Sequence, residues 1–200
     1  MKILILNVLT LCTTLLIQAQ DSLWSQRNYE ELQLQGTQYI YPDRAASFHL
    51  DYQALKAYTF KASLEDNLSN VSASPVVINV PMPNGSLTAF KIVESPVYEM
   101  GLTEKYPEMK TFLGYNPNHP TWSARFDITP AGFHGMILGT DKGTIFIDPI
   151  MHLGDINHYF SYYKDDFKRE NEQLICHLDE EVPFSTTSSN NNGIIKSFGS

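Results

Sequence analysis

The chain has 200 residues, with 22 Asp and Glu against 14 Lys and Arg, a formal net charge of −8 and 12% aromatic residues. No basic cluster exceeds the isolated Lys168-Arg169 pair, which speaks against nucleic acid and anionic membrane surfaces as partners. The aromatic content argues against a disordered polar chain over most of the length.

The N-terminus reads as a secretory signal peptide, residues 1–19. Met1-Lys2 is a short positive start, residues 3–17 are largely apolar, and Ala19 supplies the small residue for cleavage. The apolar run, at roughly 15 residues, is shorter than the roughly 20 needed to span a bilayer, so the mature chain is expected to be exported and free of the membrane. Cys12 sits inside the apolar run behind Leu11, which does not suit lipid attachment. About 180 residues then remain, with Cys176 as the sole thiol, so no disulfide can form within the mature chain.

Residues 20–46 are polar and Gln-rich with scattered aromatics, and read as a mobile or loosely docked arm. A β-rich domain is expected over residues 47–183. At its start, Leu50, Ala54 and Tyr58, then Leu64 and Leu68, recur at i, i+4 and predict one or two short helices. From Pro75 the period becomes two. Residues 76–80 and 87–93 flank Pro81-Met-Pro-Asn-Gly85, whose Asn-Gly can take positive φ, and so predict a hairpin. Residues 99–106 begin acidic and stop at Pro107, as a short helix would. Trp122, Ala124, Phe126 and Ile128 then alternate with Ser123, Arg125 and Asp127, the pattern of a half-buried antiparallel strand. Turns at residues 129–132 and 139–143 return the chain twice, giving a three-stranded meander. The predicted fold is mainly β with minor α, an antiparallel, sandwich-like sheet with extended termini. Residues 184–200 are rich in Ser, Thr and Asn and read as a linker toward a further domain.

Several side chains invite a chemical reading. Asp148, His152, Asp155 and His158 lie close in sequence, but their spacing matches no closed zinc or calcium pattern, and ordinary loop and strand-edge structure accounts for them. His134 reads as a packed or hydrogen-bonded strand residue, and Glu94-Ser95-Pro96 as a strand end without the glycine elbow of a nucleophile. Tyr159, Tyr162 and Tyr163, with Phe160 between, either form a core strand or face a partner, since tyrosine suits an interface that is dry on one side and wet on the other.

The ordered segments Phe90-Lys-Ile-Val-Glu-Ser-Pro-Val97, Lys105-Tyr-Pro-Glu-Met-Lys-Thr111, Gly114-Tyr115, Arg125-Phe-Asp-Ile-Thr-Pro-Ala-Gly-Phe-His134-Gly-Met-Ile137, Ile147-Asp-Pro149 and Tyr159-Phe-Ser-Tyr-Tyr-Lys-Asp165 resemble the propeptide region of secreted bacterial reprolysin-like zinc metallopeptidases. The resemblance covers about half the chain. It implies a β-rich prodomain that assists folding of a downstream metallopeptidase domain in the same precursor and inhibits it. The zinc it implies belongs to that peptidase; no cofactor is expected in this chain. A metzincin needs two histidines one helical turn apart with a glutamate between them. None of His49, His119, His134, His152, His158 and His177 lies four residues from another, so no catalytic activity is expected of this chain. Inhibition could run through a strand edge laid along the substrate cleft or through a thiolate in the open zinc position. Cys176, within Leu174-Ile-Cys-His-Leu178, is the one residue able to supply that thiolate, although its apolar neighbours equally suit a small buried core residue. The other function class is a freestanding exported β-domain that binds a protein or a surface.

Overall fold

The computed structural model of the chain describes residues 23–97, 101, 105–152 and 154–167. The expected signal peptide with Ala19, Cys176, the segment 184–200 read as a linker, and most of the helix expected at 99–106 lie outside them. Among the described residues the fold is mainly antiparallel β with minor α, as expected, Tyr52–Thr59 being the α-helix whose residues are all described.

Nine strands form one sheet: β1 (Trp24–Arg27), β3 (Ala46–Leu50), β4 (Val77–Pro81), β5 (Leu87–Glu94), β6 (Lys110–Tyr115), β7 (Ser123–Thr129), β8 (Gly132–Leu138), β9 (Ile145–Pro149) and β11 (His158–Tyr163). Their spatial order is β1-β3-β11-β9-β8-β7-β6-β5-β4, every pair antiparallel. Two short strands, β2 (Thr37–Gln38) and β10 (Met151–His152), pair separately. The predicted hairpin is β4–β5, and the predicted meander is β7–β8–β9. At the hairpin turn Gly85 has φ +87°, a conformation that favours glycine, and its N–H donates to the Met82 carbonyl.

The sheet rolls up because its nine strands share one interior. Ala124, Phe126 and Ile128 of β7 point inward with Phe90, Ile92, Phe112, Phe133, Ile137, Ile147 and Tyr159 from neighbouring strands. Burying one face of each strand in a common core requires curvature, and the twist of antiparallel strands supplies it. The two ends of the strand order therefore approach each other. A Cβ on Gly85, in the β4–β5 turn, would come 2.9 Å from the Gln26 side chain on β1. Across the same gap Ser161 Oγ of β11 donates to the Pro81 carbonyl of β4 at 2.9 Å. Pro81 suits the last strand of the order, where a missing N–H costs no ladder bond.

The helix α1 (Tyr52–Thr59) closes part of this core, with Asp51 as N-cap accepting from the Ala54 N–H at 2.9 Å. Its buried face is Tyr52, Leu55 and Thr59, not the Leu50, Ala54 and Tyr58 row read from spacing. Leu50 belongs to β3, so the periodic count began one element too early. Leu64 is 44% exposed and caps a single 3-10 turn (Glu65–Asn67) where a second short helix was expected; it also forms an isolated bridge to Glu94.

The largest departure is the segment read as a loosely docked arm. Trp24 is 3% exposed and meets Phe48, Phe133 and Tyr159 edge to face, with ring centroids 5.2–6.3 Å apart. Further along, Ile40 joins Ile150, Phe160 and Tyr162 in a second apolar cluster, with Leu32 and Leu34 packed against it. This stretch is polar on average, so its few apolar residues are hidden by composition, yet Trp24 and Ile40 are buried and Leu32 and Leu34 partly so.

Replacing Trp24 with Ala is expected to cost about 3–5 kcal/mol of unfolding free energy, the range for a large aromatic removed from a core. Tyr41→Ala, at a site 65% exposed, should stay within about 0.5 kcal/mol. Urea unfolding of both variants checks this, and a Trp24 variant as stable as wild type would return the segment to an arm.

Candidate functional site

The meander carries a polar row on its outer face. Asp127 on β7 pairs with His134 on β8, because residues equidistant from the turn after Thr129 must oppose each other. His134 Nδ1 lies 2.8 Å from Asp148 Oδ1 on β9, and Asp148 Oδ2 accepts from the Tyr162 hydroxyl of β11, also at 2.8 Å. Three successive strands, β8, β9 and β11, are thereby joined by one imidazole, carboxylate and phenol series, with the Asp127 carboxylate of β7 opposite His134. Asp127 Oδ1 is buried without a hydrogen-bond partner.

The electrostatics follow from that burial. Burial raises the Asp127 pKa and the charge of Asp148 adds to it, against the opposing pull of His134. For His134, burial acts downward, but the hydrogen bond to Asp148 and the charges of Asp127 and Asp148 outweigh it and leave the imidazole raised. Burial, then Asp148, holds the Tyr162 hydroxyl far above its ordinary value, and the same two causes push Tyr39 up to about 12. A proton is thus favoured on His134, between two acids. The hydrogen bonds of the row hold a proton on its outer face and tie neighbouring strands together.

The four residues noted for their closeness in sequence do not converge. Asp148 belongs to the row above. Asp155 sits in the turn before β11, accepting from Asn157 N–H, His158 N–H and His158 Nδ1 at 2.8–3.1 Å, and these hydrogen bonds outweigh burial to lower its pKa. His158 also stands 5.1 Å, centroid to centroid, from His49 on β3, whose pKa is lowered by burial first and then by His158 and Arg27. His152 packs against Tyr39 on the small sheet. Among the described residues, no group of three His, Cys, Asp or Glu is placed to hold a metal ion.

The interface reading of the tyrosines is corrected for two of them. Tyr159 is fully buried and Tyr162 is 5% exposed, while Tyr163 is half-buried against the core. Tyr159 and Ser161 face the interior of the sheet; Phe160 and Tyr162 face outward into the cluster around Ile40 and Ile150. With both faces covered, β11 loses the alternation that would have marked a half-exposed strand. Ser95 accepts from Arg125 Nη1 at 2.9 Å, and Glu94 pairs with Lys110 at 2.5 Å, as befits a strand end.

Comparison with known proteins returns no matching family, no matching curated protein and no matching solved structure. Among the described residues, no helix is long and apolar enough to cross a membrane.

The row makes a pH-dependent prediction. A raised histidine contributes stability that is fully present below its unfolded pKa, about 6.5, and is lost as pH rises through its higher folded value. Asp127, also raised, changes in the same direction. His134→Gln should therefore lower stability by about 1–2 kcal/mol near pH 6 and by less near pH 9, read from thermal unfolding at both. An equal loss at the two pH values would show that the imidazolium contributes nothing.

Proposed function

We propose that the chain is the prodomain of an exported zinc metallopeptidase precursor, assisting the folding of a downstream catalytic domain and restraining it. What supports the reading is where the resembling segments fall. They occupy β5, the turn into β6, and β6, β7, β8, β9 and β11, which are consecutive neighbours in a single sheet, so the similarity covers one folded unit and not scattered loops. The absence of a paired-histidine helix from the sequence agrees with a restraining and not a hydrolytic role.

The rolled sheet bears on how restraint would work. Its first and last strands in spatial order, β1 and β4, are turned toward each other, with the β4–β5 turn against Gln26. Laying one of these edges along a protease cleft would require parting them. The turns at the ends of the sheet and the flank that carries Cys176 are then the better contacts, the latter through its thiolate.

A second reading, an exported β-domain that binds a protein or a surface, draws on Tyr29, Tyr39 and Tyr41, which are 39%, 42% and 65% exposed on one stretch of chain.

In trans, the chain should slow peptide hydrolysis by the metallopeptidase domain of its precursor and show no zinc-dependent hydrolysis of its own. Unchanged peptidase activity at saturating chain would overturn the inhibitor role. Cys176→Ser separates the routes: retained inhibition removes the thiolate, and a loss of at least about tenfold in affinity, about 1.4 kcal/mol, supports it.

A further inference from the structure

At one end of the rolled sheet two adjoining clefts, of about 400 Å³ and about 350 Å³, share Asn84, Lys142 and Tyr163. They are framed by the β4–β5 turn, the loop before β7, the β8–β9 turn and the residues that follow β11. Each volume falls within the range of small-ligand sites, roughly 300–1,000 Å³, and the mouth of a closed or nearly closed sheet is a common place for one.

The frame is held by its own hydrogen bonds. Met82 N–H donates to Ser86 O at 2.8 Å, and Asn84 Oδ1 accepts from both the N–H and the hydroxyl of Ser86. Gly143 N–H donates to Thr140 O at 3.1 Å, closing the turn that carries Asp141 and Lys142. Asn116 Oδ1 accepts from the N–H groups of Asn118 and His119, fixing the loop on which His119 stacks against Trp122, centroids 4.1 Å apart and planes 11° from parallel. Lys164 N–H donates to Thr144 O at 2.8 Å, anchoring the chain just beyond Tyr163. A site whose walls are fixed before binding loses little entropy on occupation.

The free polar groups define the ligand. The Asn84 amide has its oxygen occupied and its NH₂ available, and the Lys142 ammonium and the Tyr163 hydroxyl make no hydrogen bond to other described residues. The carboxylates of Asp141 and Asp165 are likewise open. Arg44, by contrast, is engaged with Asp166 through Nε at 2.9 Å and Nη2 at 2.7 Å. Two cations therefore stand among three carboxylates, which disfavours a multiply charged anion. Donors and acceptors side by side, next to the aromatic wall of Tyr163 and the His119–Trp122 pair, match vicinal hydroxyls over an apolar ring face.

We propose that this groove binds a carbohydrate, an uncharged oligosaccharide of two to four units. Lys142 and Asn84 donate to ring hydroxyls, Asp141 accepts from them, and the aromatic wall covers the C–H face of a sugar ring. This is independent of the prodomain reading, since either can fail while the other stands.

The test is ligand-observed saturation-transfer NMR on the full chain with cellobiose, maltose, chitobiose, mannobiose and their tetrasaccharides. Inorganic phosphate and a sulfated heparin disaccharide serve as charged comparators. At least one neutral saccharide should receive saturation, with a millimolar or tighter Kd. Lys142→Ala and Asp141→Ala, both at exposed turn positions, should each weaken it by about tenfold, while Leu64→Ser, outside the groove, leaves it unchanged. An unaltered thermal midpoint shows that the variants fold. Absence of binding by every neutral saccharide overturns the proposal. So does binding that survives both turn substitutions, or binding confined to phosphate and the sulfated disaccharide.

Discussion

A single buried phenol holds the centre of this fold. The Tyr159 hydroxyl donates to the Ile156 carbonyl at 2.7 Å and accepts from the Phe133 N–H at 3.1 Å, so it joins the turn before β11 to the start of β8, two strands away. Its ring meets Trp24 and Phe133 edge to face. Burial raises its pKa far above the ordinary phenol range, which keeps it neutral and able to donate at any physiological pH. The same hydroxyl would stand only 3.0 Å from a Cβ at Gly132, whose φ of +124° already favours glycine. The β7–β8 turn therefore needs glycine twice over, for its backbone and for the tyrosine beneath it.

From that centre the layers follow. Trp24 reaches the core only because β1 pairs with β3, and β3 pairs with β11, so the N-terminal strand is placed by the same element that carries Tyr159. On the outer side, Phe160 and Tyr162 of β11 are covered by the segment containing Ile40, with β2 pairing to β10 alongside. The Asp127, His134, Asp148 and Tyr162 row lies on this outer face. Its hydrogen bonds supply the polar half of a surface whose apolar half is the second cluster. Ionisable groups that looked available for chemistry in the meander are thus committed to each other, while Lys142 and Asp141 at the end of the sheet stay open.

Legibility was uneven for physical reasons. The hairpin and the meander were readable because their inner faces alternate cleanly and their turns contain Asn84-Gly85 and Ala131-Gly132, where the backbone requirement selects the residue. The Asp127–His134 pair was within reach of simple counting from the turn. Asp148 was not assigned to it, because joining β9 to β8 required the register across a second turn, set by Gly135 opposite Ile147. The strands β1 and β3 were missed because polar residues such as Gln26 and His49 interrupt any apolar period. The helix was found on the wrong face because Leu50, counted into it, ends a strand.

The sequence by itself determined the mainly β, antiparallel character, the turns, the lack of a metzincin histidine pair and the short apolar start, since each depends on neighbours within a few residues. Only the tertiary structure decided that β1 closes on β4, that both faces of β11 are buried, and that Asp148 belongs with His134 and not with His152 or Asp155. Those outcomes depend on which strands lie beside each other. A nine-stranded antiparallel sheet fixes that through the shared interior around Tyr159, a constraint that no local stretch of chain carries.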